Sequence, residues 1–331
     1  MAVKQKGAPA KREKRKVDYD VVLIGDVFYD IATMPVQDYP ERDKQIGCEF
    51  MLSIGGQAGN CAAACASLGL KTALICKTGG DILSKWIISE LQKLGVDCFA
   101  TIAEKEELQH PGITVSISFE DGSRSMLSDR GANSDLKEED VDFELLTKTR
   151  FLMRAGHWNT EGLFTVNDKI LRTAKSAGVY TAVDIGWSAY LHWTETARQT
   201  VFDFLPSVDF LFVNEAEIKG LSGKERGEHE LLEKGCENVV VHRGAKGSSW
   251  INNDFVRNYP AFDVKPISPT GVGDVFNAGF IYAFLDGREA EECLKFANAC
   301  AAAHISKKRL RNVFPTIKDV ESLTHSHSEN Y

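Results

Sequence analysis

Residues 269–280 read PTGVGDVFNAGF, a Gly-x-Gly turn that opens an apolar helical run. Backbone N–H groups at such a turn make an anion site, and the helix dipole reinforces it. Two familiar phosphate loops do not fit. A dinucleotide fingerprint needs a third glycine at position 276, where Phe276 stands, and the Gly-Lys-Ser/Thr of a Walker A loop occurs nowhere in the chain. Asp274 would also repel a bound pyrophosphate. Two roles stay open for it. It caps the helix, or it takes a proton from an attacking hydroxyl while the N–H groups hold a transferred phosphate.

Outward from this stretch, short β-rich runs alternate with helical patterns. Residues 21–25 (VVLIG), 71–76, 151–155, 180–184, 210–213 and 239–241 read as buried strands. Residues 84–94 read as a helix, with Ile87, Leu91 and Leu94 at i, i+4, i+7 and Gly95 as the stop. Residues 168–177 repeat the pattern before Gly178. Strands apolar on both faces, alternating with helices, predict an α/β fold with a mostly parallel sheet covered on both sides. Two segments break the rhythm. Residues 48–54 look extended, and residues 113–126 (ITVSISFEDGSRSM) alternate around Asp121-Gly122, a hairpin signal. They predict a small accessory sheet, from segments near 33–54 and 99–128, projecting from one domain over residues 18–323. Residues 324–331 read as a polar tail.

The chain has 331 residues, 43% hydrophobic and 26% charged, enough to bury a large core without disulfides or metal. Residues 1–17 carry seven Lys/Arg and one Glu, a net of +6, so the other 314 residues carry −14. An acidic body argues against nucleic acid as the main substrate. The basic segment reads as a solvated disordered tail, or as a nuclear address or polyanion contact. No apolar run reaches the roughly 18 residues of a membrane span, and no secretory pattern opens the chain. The eight cysteines form no CxxC pair and sit mostly in apolar runs, and the eight histidines show no ligand spacing. These readings predict a cytoplasmic protein without a transition-metal site.

Ligands of parallel sheets bind beyond the carboxyl ends of the strands. Asp26 and Asp30, Asp184, then Asn214, Glu215 and Glu217, then His242 and Arg243 follow four of the predicted strands. Each alone reads as a helix cap; together they point to one cleft. Residues 54–69, IGGQAGNCAAACASLG, form the second glycine-rich segment. Gly55-Gly56 permits a sharp turn and close approach to a ligand. Gln57 and Asn60 carry donor–acceptor groups suited to hydroxyls, although a plain turn into an Ala-rich buried helix reads equally well.

Taken together, these segments resemble the ribokinase-like, phosphofructokinase-B (PfkB) family of sugar and nucleoside kinases. GGQAGNCAAACASLG with Gly79 and Asp81 is similar to its N-terminal signature, and PTGVGDVFNAGF to its C-terminal one. DRGAN at 129–133, NEAE at 214–217 and RGAKG at 243–247 continue the match, in order, from about Tyr19 to Leu323. The resemblance implies a three-layer α/β/α sandwich, with the accessory strands as a lid over the substrate and, in many members, a homodimer through that lid. It implies Asp274 as general base and Gly271, Val272 and Gly273 as the anion hole. Asp30, Gly55, Gly56, Gln57 and Asn60 match positions that grip sugar hydroxyls. Asn214 and Glu217 match the motif that holds Mg²⁺ and phosphate, mainly through water. His242, Gly244 and Gly247 match the loop along ATP, and Asn298 a position near adenine.

The match has departures. The family's signature usually begins Asp-Thr; here Ser268-Pro269 stand, without the carboxylate that helps bind a monovalent cation in many members. Lys307-Lys308-Arg309-Leu310 replaces the usual Arg-x-Gly ahead of Pro315, and Trp187 stands where some sugar kinases have an Arg. Trp158 and Trp187 either stack on a ligand or pack in the core. The expected function is ATP-dependent phosphorylation of a small sugar or sugar derivative. The rivals are a nucleoside kinase, a catalytically silent ligand-binding regulator, and a nicotinamide-dependent oxidoreductase, the last disfavoured by Phe276.

Overall fold

The computed structural model describes residues 16–187, 192–267, 270–306 and 312–328. The basic segment up to residue 15, Ser268, Pro269 and the Lys307, Lys308, Arg309, Leu310 run lie outside the described residues. In chain order the strands are β1 (Tyr19–Ile24), β2 (Phe28–Thr33), β3 (Phe50–Gly55), β4 (Thr72–Thr78), β5 (Val96–Ile102), β6 (Gly112–Ser118), β7 (Arg124–Asp129), β8 (Thr149–Ala155), β9 (Tyr180–Asp184), β10 (Phe210–Asn214), β11 (Asn238–His242), β12 (Ser248–Ile251) and β13 (Val256–Tyr259). The helices are α1 (Gln57–Ser67), α2 (Ile82–Lys93), α3 (Phe143–Thr147), α4 (Asn167–Ser176), α5 (Glu195–Phe202), α6 (Glu215–Ser222), α7 (Glu228–Glu233), α8 (Val272–Asp286), α9 (Ala290–Ile305) and α10 (Ile317–Ser328).

Nine strands form the main sheet in the order β13-β12-β11-β10-β9-β8-β1-β4-β5. Every pairing from β5 across to β11 is parallel, and β12 and β13 close one edge antiparallel. Successive side chains of the central strands feed opposite cores, as strand geometry requires. Val21, Leu23, Phe151 and Phe210 pack with α1, α2, α8 and α9 on one side. Val22, Ile24, Leu152 and Leu211 pack with α3 to α7 on the other. The three layers predicted from the strand runs are therefore present. Because β1 lies between β4 and β8, strand order reverses there, and the crevice at that reversal is where such sheets bind ligands.

The second sheet has the order β3-β2-β6-β7. The predicted hairpin is there: β6 and β7 pair antiparallel with Ser118 opposite Arg124. Two predicted boundaries shift. The sheet begins at Phe28 rather than near residue 33, and residues 96–102, expected at the edge of the lid, form β5 of the main sheet. Helix α10 also runs through Ser328, past residue 324, where a tail was expected. Alternation sorts the small sheet into two faces. Leu52, Ile31, Val115 and Leu127 stand in register as one apolar row, and Ser53, Asp30, Thr114 and Ser128 as the polar row beside it. Ser53, Thr114 and Ser116 on the polar side are buried, whereas Leu127 is 70% exposed on the apolar side. The polar face therefore looks inward. Among the described residues no helix is long and apolar enough to cross a membrane.

Candidate active site

The anion-site sequence folds as its glycines dictate. Gly271 takes the left-handed conformation, φ 71°, and caps α8, so Val272 begins the helix. Asp274 lies in the first turn and is buried. It does not stand alone there, because Asn60 Nδ2 of α1 donates to Asp274 Oδ2 at 3.0 Å. The two glycine-rich segments thus meet, and α1 packs along α8 in a core that includes the small residues Ala62 and Ala278. The other end of the Asn60 amide, Oδ1, is buried with no hydrogen-bond partner among the described residues.

The Gly55-Gly56 turn brings the root of the small sheet to the same place. A side chain at Gly55 would lie 2.3 Å from the Asp30 carboxylate, and Gly56 has φ 85°. Only glycines let Asp30 of β2 and the start of α1 close on each other in this way.

Gln57 starts a chain of hydrogen bonds that crosses the cleft. Its Oε1 accepts from Gly156 N at 3.1 Å, and its Nε2 donates to Asp184 Oδ1 at 2.8 Å. Asn277 Nδ2 donates to Asp184 Oδ2 at 2.6 Å, and Asn277 Oδ1 pairs with His242 Nε2 at 2.9 Å. Gln57, expected to grip a hydroxyl, therefore has both amide ends engaged with protein. Burial lifts the Asp184 carboxyl to about 6, against the pull of its Asn277 and Gln57 donors. Burial also holds His242 down at about 4, so its imidazole is neutral near pH 7.

Asn214 and Glu217 form a reciprocal capping box at the start of α6. Glu217 N donates to Asn214 Oδ1 at 2.9 Å, and Asn214 N donates to Glu217 Oε2 at 2.9 Å. Burial, then the nearby Asp184 charge, pushes the Glu217 carboxyl up to about 8. The loop after β11 is tied to α6 and α7, since Arg243 pairs with Glu215 at 2.9 Å and with Glu228 at 2.8 Å. Gly244 and Gly247 make the turn between β11 and β12, both with positive φ. Asn298 stands apart from these contacts: its Nδ2 donates to the carbonyls of Tyr259 and Pro260 at 3.1 and 3.0 Å.

Of the two tryptophans, Trp158 is core, its Nε1 donating to Gly186 O at 3.0 Å, while Trp187 is 59% exposed. Asn277 and Arg124 were not singled out from the sequence, and Asp26 and Asn133 were named there without the contacts they make. Asn277 is a polar residue inside an apolar helical run, a signal that was present in the text of the chain. Asn133 clamps the loop after β1 through both the N–H and the carbonyl of Val27, at 3.0 and 2.9 Å. Asp26 accepts from Ala58 N at 3.0 Å and from Asn159 Nδ2 at 2.8 Å, and its burial raises its carboxyl pKa. Arg124 reaches from β7 of the small sheet to Thr270 Oγ1 at 3.1 Å.

Comparison with known proteins agrees with this geometry. Residues 19–317 match the model of the pfkB family carbohydrate kinases. The chain is similar to a deoxyribokinase of Salmonella typhi, 26% identical over 90% of this chain and 96% of that one. It is also similar to a probable fructokinase-5 of Arabidopsis thaliana, 28% identical over 85% and 90% of the two chains. Among solved structures, Arabidopsis thaliana ribokinase complexed with ribose and ATP superposes with a TM-score of 0.76 at 23% identity, over 92% of this chain and 98% of that one. Adenosine kinase from Sinorhizobium meliloti gives 0.78 at 23%, over 93% and 99%. The chain belongs to the pfkB family of carbohydrate kinases, phosphotransferases built on the ribokinase-like fold.

Proposed function

We propose that this chain phosphorylates one hydroxyl of a small sugar or sugar derivative with ATP, and that Asp274 is the general base. The observation that carries the reading is the Asn60–Asp274 pair at the Gly271 turn. A buried acceptor without a partner, Asn60 Oδ1, is costly, and a substrate O–H placed there would satisfy it. In that position Asp274 takes the hydroxyl proton, while the N–H groups of Gly271, Val272 and Gly273 hold the phosphoryl oxygens. Asp30 and the lid's inner hydroxyl row meet the remaining sugar oxygens. His242, Gly244 and Gly247 lie along the nucleotide, with Asn298 on the adenine side.

The donor set fits a hydrated Mg²⁺. Burial raises both the Glu217 and the Asp184 carboxyls, the Asp184 charge adds to the rise at Glu217, and an oxygen-seeking dication would favour their charged forms. Asn214 and Glu217 would hold the ion mainly through water, and it would neutralise charge on the phosphates. The named relatives, a deoxyribokinase and a probable fructokinase, favour a sugar over a nucleoside.

The apolar outer row of the lid, Leu52, Ile31, Val115 and Leu127, supports a homodimer built lid to lid. Incubation with Mg·ATP and a panel of pentoses, hexoses, sugar acids and nucleosides tests the function. A product heavier by one phosphoryl group, with equimolar ADP, is expected for one sugar; transfer to a nucleoside alone, or to nothing, overturns it. Sedimentation on dilution tests the dimer.

A further inference from the structure

Asp184 anchors the hydrogen-bonded chain that crosses the cleft, and Trp187 stands three residues further on, where β9 has ended in the middle of the main sheet. Its indole is 59% exposed. An exposed tryptophan alone is ordinary. This one is held in place. Its ring meets Trp193 edge to face, with centroids 5.7 Å apart, and Trp193 meets the buried Trp158 in the same way at 5.6 Å. Trp193 lies so close on α6 that a side chain at Gly220 would come within 2.2 Å of its ring. The file of T-shaped contacts fixes the outermost indole and leaves much of it open. The residue before it belongs to the cleft. Gly186 N donates to Asp184 Oδ1 at 3.1 Å, and a side chain at Gly186 would lie 2.3 Å from Gln57 Oε1. Trp187 is therefore presented at the strand ends where such sheets bind ligands.

We infer that Trp187 is a substrate-binding residue that selects a neutral sugar by its hydrocarbon face. The inference rests on the kinase reading above. A sugar ring carries hydroxyls around its edge and C–H groups on its faces. The edge suits Asp30, Asn60 and the buried Thr114 and Ser116. A face of C–H groups suits a fixed indole, because stacking there removes apolar surface of both partners from water. The ring face carries the negative part of the aromatic quadrupole, so it attracts C–H groups and offers nothing to a carboxylate or phosphate. Two arginines at other strand ends do not supply that charge. Arg154 of β8 gives its N–H groups to Asn167, Thr160 and the Ala155 carbonyl, and Arg243 after β11 is paired with Glu215 and Glu228. The class selected is thus a neutral pentose or hexose rather than a sugar acid. A deoxy carbon on the stacked face strengthens the contact, since it exchanges a hydroxyl that the indole face cannot satisfy for hydrocarbon.

The test uses the full chain and the sugar found active in the panel, so failure of the kinase reading shows first as an inactive wild type. Trp187→Ala should raise KM for that sugar about tenfold and change kcat less than about twofold, the mark of binding energy shared by ground and transition states. KM for ATP should stay where it was, and Trp187→Phe should recover part of the loss. The preference for a deoxy sugar over its hydroxylated parent, read as a ratio of kcat/KM, should fall toward one in Trp187→Ala. Fluorescence gives a readout that needs no turnover. The chain has five tryptophans, of which Trp158 and Trp250 are buried and Trp187 is exposed. Sugar alone should shield the emission from acrylamide, and Trp187→Phe should abolish that shielding at an unchanged melting temperature. Shielding by ADP in place of sugar, or by neither ligand, would put Trp187 outside the sugar site and overturn the inference. A wild type that prefers a sugar acid to its neutral parent, or that binds a nucleoside through Trp187 more tightly than any sugar, would overturn it as well.

Discussion

The two sheets obey the same alternation and reach different ends. In the main sheet both sides of each central strand are covered: Val21, Val22, Leu23 and Ile24 are all fully buried. Its core is complete within the chain. The four-stranded sheet buries Ser53, Thr114 and Ser116 on its inner face and leaves Phe50 and Leu127 exposed on its outer one. Its hydroxyls are inside and its hydrocarbon outside, the reverse of a self-sufficient sheet. In the function proposed above, a hydroxylated ligand would complete this sheet from beneath and apolar surface from above. On that reading the rigid sheet places the chemistry, and the unfinished one makes it conditional.

The largest effect should come from the rigid part. Asp274→Asn keeps shape and the contact with Asn60, and removes only the capacity to accept a proton. We expect kcat to fall about 10²–10⁴-fold with the melting temperature nearly unchanged. A variant that keeps more than about half the activity would make Asp274 a helix cap and move the chemistry elsewhere.

The unfinished sheet should answer to ligand and the rigid one should not. At a sugar concentration near a hundred times its dissociation constant, hydrogen exchange through residues 116–125 should slow by up to about 100-fold. Exchange in β9 should not move. Equal exchange in the hairpin with and without sugar would break the contrast between the two sheets.

The same contrast explains what the sequence made legible. Strands β1, β4 and β8 to β11 announce themselves because burial on both faces gives unbroken apolar runs. The β6–β7 hairpin announces itself through Asp121-Gly122. By contrast β5 and β13 lie at the sheet edges and β12 is only four residues long, and polar residues such as Asp97, Ser248 and Asn258 dilute the pattern. Strand β2 is missed because FYDIAT alternates weakly and its partners are remote in sequence. Within the site, Asp274 and the glycines are readable because turn chemistry is local. The hydrogen bond from Asn277 to Asp184 is not, since it joins residues 93 positions apart and is made by packing alone. The apparent freedom of Gln57 to meet substrate was the matching illusion: its partners, Asp184 and the Gly156 amide, come from two other strand ends.

A third expectation concerns His242, which ends that chain of contacts at Asn277. Burial depresses its folded-state pKa to about 4, below the ordinary value of 6.5. Between those values the unfolded chain binds the proton that the folded chain refuses, so stability falls as pH drops through this window. The contribution lost between pH 7 and pH 5 is about 2 kcal/mol. His242→Asn should be less stable than the wild type at pH 7 if the contact with Asn277 matters, and the gap should narrow by about that amount at pH 5. Urea midpoints at the two pH values measure it. A constant gap would show that His242 is not held neutral by the fold.

The smallest effect expected is that of potassium, and it tests whether the rigid part presets its own anion hole. In many members of the family a carboxylate at the start of the C-terminal signature helps bind a monovalent cation. Here Ser268 holds that position and Pro269 follows. A serine hydroxyl lends one oxygen and no charge, whereas hard cations favour several oxygens and some negative charge. Pro269 supplies no N–H. The hole has other supports: Ile267 N donates to Ile305 O at 2.7 Å, and His304 holds the Thr270 carbonyl. These contacts anchor both flanks of the short segment to α9, a brace that needs no ion. Potassium chloride should therefore raise activity by less than about tenfold over a sodium-free, potassium-free buffer of equal ionic strength. A larger rise, more than roughly 1.4 kcal/mol of transition-state stabilisation, would mean that carbonyl oxygens alone hold the ion and that the brace from α9 leaves the hole incomplete.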